Sequence, residues 1–368
     1  MKTKREIVSL IILGIACLTF FYIIAYKWRD ILIEKADLPR TIEIETISKI
    51  KYNKDDYIFI QENQELFGKG NVSIWAVTSE GDKELIKIKY SGQQEDIKYR
   101  QYGHYIYFWL NGNRYDSMPS DNAKLKKEMR MQTDAQLYKY DIDASTVEKI
   151  EIENSDKTVI IDILYKNGEE LIVKEVARVQ TSYGKWESLN TFVGNEKYNF
   201  TVTNYYWYDS KGLATADKVI IPIYKGVIIE SNNKLEEKDI YSEKNPYAVE
   251  LYEYEESILC MTHSRLKEYI TAYDNNFLKQ REIEITHKYP NYLKLEDKVI
   301  IYGWEKGLIK ISYLDLKTWQ TIDLGIHNIN EDISFEDISL KYNAYTKTLV
   351  FYNNGTLETV LDYHLYST

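Results

Sequence analysis

Two hydrophobic patterns divide the chain. From Ile7 to Tyr26 the sequence reads IVSLIILGIACLTFFYIIAY, with no charge and with Ser9 and Thr19 as its clear polar interruptions. At about 1.5 Å rise per residue, a helix over this run is about 30 Å long, the thickness of a bilayer's hydrocarbon core. Lys2, Lys4 and Arg5 precede the run, and Tyr22, Tyr26 and Trp28 lie at its far end, where aromatic rings favour the interface. Beyond residue 40 helical periodicity is scarce. Short alternations of Tyr, Ile and Val with polar residues take over, the period of half-buried strands.

The alternations repeat in sets of four. Tyr247–Tyr254, Ser257–Met261, Glu268–Tyr273 and Gln280–Ile285 form one set, and Asn291–Leu295, Lys298–Gly303, Leu308–Leu314 and Trp319–Leu324 form the next. Their third and fourth strands are joined by similar turns, Tyr273-Asp274-Asn275-Asn276-Phe277-Leu278 and Leu314-Asp315-Leu316-Lys317-Thr318-Trp319. Related pieces occur at Glu230–Leu235 and Tyr140–Ser145. The turn residues Asp141, Ser231, Asp274 and Asp315 are spaced by 90, 43 and 41, two periods and then one and one. Asp, Asn and Ser suit such places because their side chains cap turns.

A four-strand unit of this period predicts an all-β domain, a β-propeller of about seven blades, with six to eight admitted by the spacing. Residues 153–246 do not parse cleanly. The last unit shows only three strands, Ile333–Tyr342, Thr346–Tyr352 and Thr356–Leu365, so Thr41–Lys51 is expected to add the fourth and close the ring. The alternative fold is a pair of β-sandwich-like domains. The turns at Tyr273-Asp274 and Leu314–Thr318 resemble those of generic propeller blades of the quinoprotein and related bacterial families. That resemblance covers short turns only. The Gly-His and Trp-Asp pairing of WD40 blades, the double glycine of kelch blades and the sialidase Asp-box do not occur, so it implies an architecture and no family.

The expected organisation is a short cytoplasmic tail (1–6), a single-pass transmembrane signal-anchor (7–26), a juxtamembrane linker (27–40) and an extracytoplasmic domain (41–368). A cleaved signal peptide would have a shorter apolar core ending in small residues, and no such site follows here. Gly14-Ile15-Ala16-Cys17 fits a lipoprotein site poorly, because apolar residues continue past Cys17. Basic residues flank both ends of the run. The short basic tail is what favours a cytoplasmic N-terminus and a cell-membrane location, with the membrane itself a partner through residues 7–26.

Charge narrows the partners. Residues 41–368 hold 40 basic and 53 acidic side chains, a net charge of −13. That balance argues against nucleic acid and against adhesion to an anionic lipid surface. Cys260 is the only cysteine after the apolar run, so the domain can hold no internal disulfide, and its apolar neighbours predict a buried thiol.

No local motif carries chemistry. His104, His263, His287, His327 and His364 are scattered, with no H-x-H or HExxH pair. Asp141 and Asp143 lack the glycine and the later glutamate of a calcium loop. G-x-S-x-G and glycine-rich phosphate loops are absent, and no metal or other cofactor is implied. Two segments stand out as binding surfaces. Asn111–Thr133 reads as an insertion, with a helix over Asp121–Met131 presenting Lys124, Lys126, Lys127 and Arg130. The aromatic strand around Tyr205, Tyr206, Trp207 and Tyr208 would place rings on both of its faces.

These features together predict a membrane-anchored binding or scaffolding module of a bacterial cell envelope, not an enzyme, with an envelope protein or a wall glycan as partner. The competing expectation is a propeller-type hydrolase or lyase with its site at the channel mouth.

Overall fold

A computed structural model describes residues 40–64, 70–91, 94–117, 129–153, 158–180, 186–195, 199–202, 211–223, 226–232, 234–239, 247–263, 268–288, 290–305, 308–328, 338–346, 348–353 and 356–361. The apolar run 7–26 lies outside these residues. None of the helices among the described residues is long and apolar enough to cross a membrane.

The described residues form 27 strands in consecutive units. The first unit holds β1 (Thr41–Thr46), β2 (Tyr57–Gln64), β3 (Gly70–Thr78) and β4 (Gly81–Ser91), and the second β5 (Gln94–Tyr102), β6 (Tyr105–Ser117), β7 (Met129–Asp141) and β8 (Thr146–Ile150). The third holds β9 (Thr158–Lys166), β10 (Glu169–Gln180), β11 (Trp186–Gly194) and β12 (Asn199–Val202), and the fourth β13 (Leu213–Ala214), β14 (Lys218–Ile223), β15 (Gly226–Ser231) and β16 (Lys234–Asp239). The fifth comprises β17 (Tyr247–Tyr254), β18 (Ser257–His263), β19 (Glu268–Asp274) and β20 (Lys279–Ile285). The sixth comprises β21 (Asn291–Lys294), β22 (Lys298–Glu305), β23 (Leu308–Asp315) and β24 (Gln320–Asn328). The last has β25 (Ile338–Asn343), β26 (Thr348–Asn353) and β27 (Thr356–Leu361).

Counted as hydrogen-bonded sheets, the propeller arrangement is six-bladed. One sheet has eight strands because the second and third units are bridged at a single position, Val179 of β10 opposite Arg130 of β7. Six sheets lie within the range of six to eight read from the sequence, and among the described residues the eight-stranded sheet divides by packing into two units of four strands. Separate apolar clusters lie between each consecutive pair, and a seventh, formed by Phe59, Val77 and Val350, joins the last unit to the first.

The closing strand differs from the expectation. Thr41–Thr46 pairs antiparallel with β4, from Thr41 opposite Ser91 to Thr46 opposite Ile86, and so completes the first sheet and not the last. Its alternating exposure fits any outer edge, so sequence alone could not assign it.

In the fourth and fifth units the inner strands are apolar and the last strand polar. In β9, TVIIDILYK, seven consecutive residues are buried because neighbouring units cover both faces. The inner strands β14 and β15 read the same way. Burying each Val or Ile stabilises by about 1.5–3 kcal/mol, so these runs carry much of the ring. Outer strands β16, β20 and β24 are mostly exposed, and Lys and Glu on β16 and β20 discourage edge-to-edge pairing.

The recurring turns behave as their residues predict. Asp315 Oδ1 accepts bonds from Lys317 N (3.0 Å), Thr318 N (2.8 Å) and Thr318 Oγ1 (3.0 Å). Asp274 Oδ1 accepts from Asn276 N (2.8 Å) and Leu278 N (2.9 Å), and Asp141 Oδ1 from Ala144 N (2.9 Å). Each turn brings one residue to positive φ: Ser145, Asn232, Phe277 and Trp319 at 54°, 53°, 60° and 58°. For Phe and Trp that conformation is strained, and the capping bonds hold it.

Cys260 is fully buried, as its apolar setting predicts.

Candidate functional site

The innermost strands of successive units, β2 in the first, contact one another around an inner rim. Tyr99 on β5 donates to Ile58 O on β2 (3.2 Å), and Tyr102 donates to Ile163 O on β9 (2.7 Å). Arg100 lies between these tyrosines. It grips Asp162 of β9 with Nε and Nη2, each at 2.7 Å, and Nη2 also reaches Gly212 O at 3.2 Å. Asp162 is almost fully buried, and it also accepts from Ile163 N (2.9 Å) and Gly212 N (3.0 Å). One carboxylate therefore ties the second, third and fourth units together.

The rim continues through Lys211, which pairs with Glu250 of β17 through both side chains and a parallel backbone bridge. Glu250 also accepts the Tyr252 hydroxyl. Burial first, and then the neighbouring Glu250 charge, push the Tyr252 phenol well above its ordinary value. At the closing junction Lys341 Nζ lies 3.2 Å from the Phe59 ring centroid and 5.8 Å from that of Tyr57. Burial pulls its ammonium down to about 6. Arg100, Asp162, Lys211 and Glu250 are thus committed to ties between units.

A second cluster pairs a hydroxyl with an imidazole. His287 Nε2 and Ser312 Oγ are 3.2 Å apart. Ser312 is 2% exposed and His287 8%, and among the described residues no hydrogen-bond partner reaches His287 Nδ1. Asp323 accepts from Gly325 N at 2.9 Å and makes no hydrogen bond to the imidazole Nδ1. A nucleophile needs an oriented base and an approach for substrate. This pair has neither, and burial holds His287 down at about 4, neutral near pH 7.

A cleft of about 420 Å³ opens between the fifth and sixth units. Tyr254 and Glu255 from the β17–β18 hairpin, Ser257, Gln280 and Arg281 of β20, and Leu316, Lys317 and Trp319 from the β23–β24 turn line it. The Arg281 guanidinium sits 5.9 Å from the Trp319 ring centroid, and Lys294 Nζ 5.2 Å from that of Tyr254. Lys317 pairs with Asp297 at 3.1 Å, which also meets Lys298 at 3.1 Å. Hydrogen bonds and charge from these two lysines outweigh burial and hold the Asp297 carboxyl below its usual range. Among the described residues no group of three metal-ligating side chains converges.

Of the surfaces expected from sequence, Tyr205, Tyr206, Trp207 and Tyr208 lie outside the described residues, as do Lys124, Lys126 and Lys127. Within Asn111–Thr133, residues up to Ser117 continue β6 and those from Met129 onward belong to β7. Ser117 pairs with Met129 and Asp116 with Arg130. Met129–Met131, expected at the end of a helix, are therefore strand. Their alternation of Met with polar residues also fits a hairpin arm.

Sequence reading did not single out Arg100, Asp162 or Glu250, because their partners are 62 and 39 residues away. Trp319 and Tyr254 had a signal: both close hairpin turns of the repeating set.

No protein-family profile matches the sequence, and no curated protein matches it. Among solved structures, the β-propeller domain of the Trilobed protease from Pyrococcus furiosus is similar at 12% identity and TM-score 0.44, over 87% of this chain and 96% of that one. BamB from Moraxella catarrhalis is similar at 11% identity and TM-score 0.35, over 67% and 78%. A prolyl endopeptidase matches at 10% identity and TM-score 0.42, over 88% of this chain and 56% of its own. The chain spans about half the length of the first peptidase structures it matches. The fold assignment rests on the strand ladders themselves.

Proposed function

We propose that the chain is a membrane-tethered, extracytoplasmic binding or scaffolding module of a bacterial cell envelope, its partner an envelope protein or a wall glycan. The observation that carries this reading is the division of labour around the ring. Rim charges such as Arg100, Asp162, Lys211 and Glu250 are committed to holding units together, while an aromatic, cation-bearing cleft opens on the surface. A closed ring with a surface cleft suits recognition, since it presents fixed side chains on a rigid support. The apolar run 7–26 supplies the proposed tether, and the acidic balance of residues 41–368 suits a partner other than anionic lipid or nucleic acid.

Membrane fractionation combined with protease treatment of intact cells tests this. The full chain is expected in the membrane fraction, with residues after 40 digested from outside. A chain recovered in the soluble cytoplasmic fraction, or protected until lysis, would reject the proposal.

A further inference from the structure

We infer that the cleft between the fifth and sixth units binds a sugar ring carrying a carboxylate, with the ring face on Trp319 and the carboxylate on Arg281. This deepens the binding role proposed above and rests on it.

The cleft's volume, about 420 Å³, lies within the range of small-molecule sites, about 300–1,000 Å³. Its aromatic walls are Trp319 and Tyr254, both partly exposed. Trp319 is held at φ 58° by the Asp315-capped turn, with its N–H bonded to Asp315 O at 2.7 Å. Phe277 occupies the matching turn of the fifth unit at φ 60°, but there the ring is 7% exposed and packed in the core. The same turn therefore buries its ring fully in one unit, while in the next the indole packs against the apolar cluster between the fifth and sixth units and stays half-buried along the cleft. Its buried Nε1 has no hydrogen-bond partner among the described residues.

The local charge then selects the ligand. Asp297 is matched by Lys298 and Lys317, and Asp315 is occupied by its own turn. Arg281 is exposed, and its guanidinium lies 5.9 Å from the Trp319 ring centroid, beside the indole, so the fork keeps its hydrogen-bond donors for a ligand. A planar guanidinium beside an aromatic ring suits two-point binding of a carboxylate next to a ring stacked on the indole. Ser257, Gln280 and Glu255 place polar groups along the same wall, which suits hydroxyls better than an all-apolar ligand. Together these groups match a ring with one apolar face, several hydroxyls and one anionic substituent.

Calorimetric titration of the purified full chain with a glucuronic-acid trisaccharide and with a neutral glucose trisaccharide tests the inference. The acidic sugar is expected to bind at least tenfold more tightly. Arg281→Gln should remove that preference, and Trp319→Asn should weaken both sugars at least tenfold. Asn tolerates positive φ, so the second variant keeps the turn, and a thermal melt checks its fold. Should Trp319→Asn unfold, the exposed Arg281→Gln decides alone. Equal binding of the two sugars, an unaltered preference in Arg281→Gln, or no binding of the acidic sugar would overturn the inference. If the sugars fail while the chain still fractionates with membranes and is shaved from outside, the ligand assignment is wrong and the tethered-module reading stands. If both fail, both fall.

Discussion

Replacing Asp162 with alanine should destabilise the ring more than any exposed substitution, because this carboxylate satisfies four donors at once. Two belong to Arg100, at 2.7 Å each, and two are the backbone N–H groups of Ile163 and Gly212. The side chain is 2% exposed and that of Arg100 20%. Removing one partner of a buried ion pair costs about 3–5 kcal/mol, chiefly through the charge left behind. Arg100 keeps some access to water, so the lower end, about 3 kcal/mol, is expected for Asp162→Ala. Arg100→Ala leaves the carboxylate two backbone donors and should cost somewhat less, about 2 kcal/mol.

The double variant should lose less than the two losses combined, with a coupling of about 1–2 kcal/mol. Urea denaturation of the full chain in one fixed detergent, followed by tryptophan fluorescence, measures all three at once. An unchanged dependence on urea would show that native and unfolded states are otherwise comparable. The reasoning fails if Asp162→Ala lies within about 0.5 kcal/mol of the parent, or if the two single losses simply add.

Three further outcomes follow from buried or capping groups. Lys341 is pulled from 10.5 to about 6 in the folded chain, so between those values the unfolded chain binds the extra proton and stability rises with pH. Lys341→Met should therefore raise the urea midpoint at pH 7 and flatten its rise between pH 6.5 and 9. His287 is pulled from 6.5 to about 4, so stability drains as pH falls through that window and the full cost is present below it. His287→Gln should remove up to about 3 kcal/mol of the acid-side loss, seen as a smaller drop in urea midpoint between pH 7 and pH 4 than in the parent. Asp315→Ala removes three capping bonds around a residue at positive φ and should cost about 1–2 kcal/mol, with a lower melting temperature as the readout.

The parts of the fold legible in sequence were those with contrast between neighbours. In the fifth and sixth units polar outer strands alternate with apolar inner ones, and an Asp turn marks the period, so the strands from Tyr247 to Asn328 could be placed closely. Residues 153–246 lacked that contrast. Strands β9, β14 and β15 are buried on both faces, so their continuous apolar runs erase the two-residue period. The place of β1 was not legible for a different reason: a strand with one half-buried face fits the edge of the first unit as well as that of the last.

The site was less readable than the fold. Arg281 and Trp319 are 38 residues apart and meet only because successive units stack. Their types were visible in the sequence, but their pairing depends on the ring.

Photo-crosslinking in intact cells tests the central claim most directly. With a photoreactive amino acid in place of Lys317, at the lip of the cleft, the account predicts adducts with an extracytoplasmic envelope component, carried by a chain found in the membrane fraction. A soluble chain whose adducts are confined to cytoplasmic proteins would contradict it.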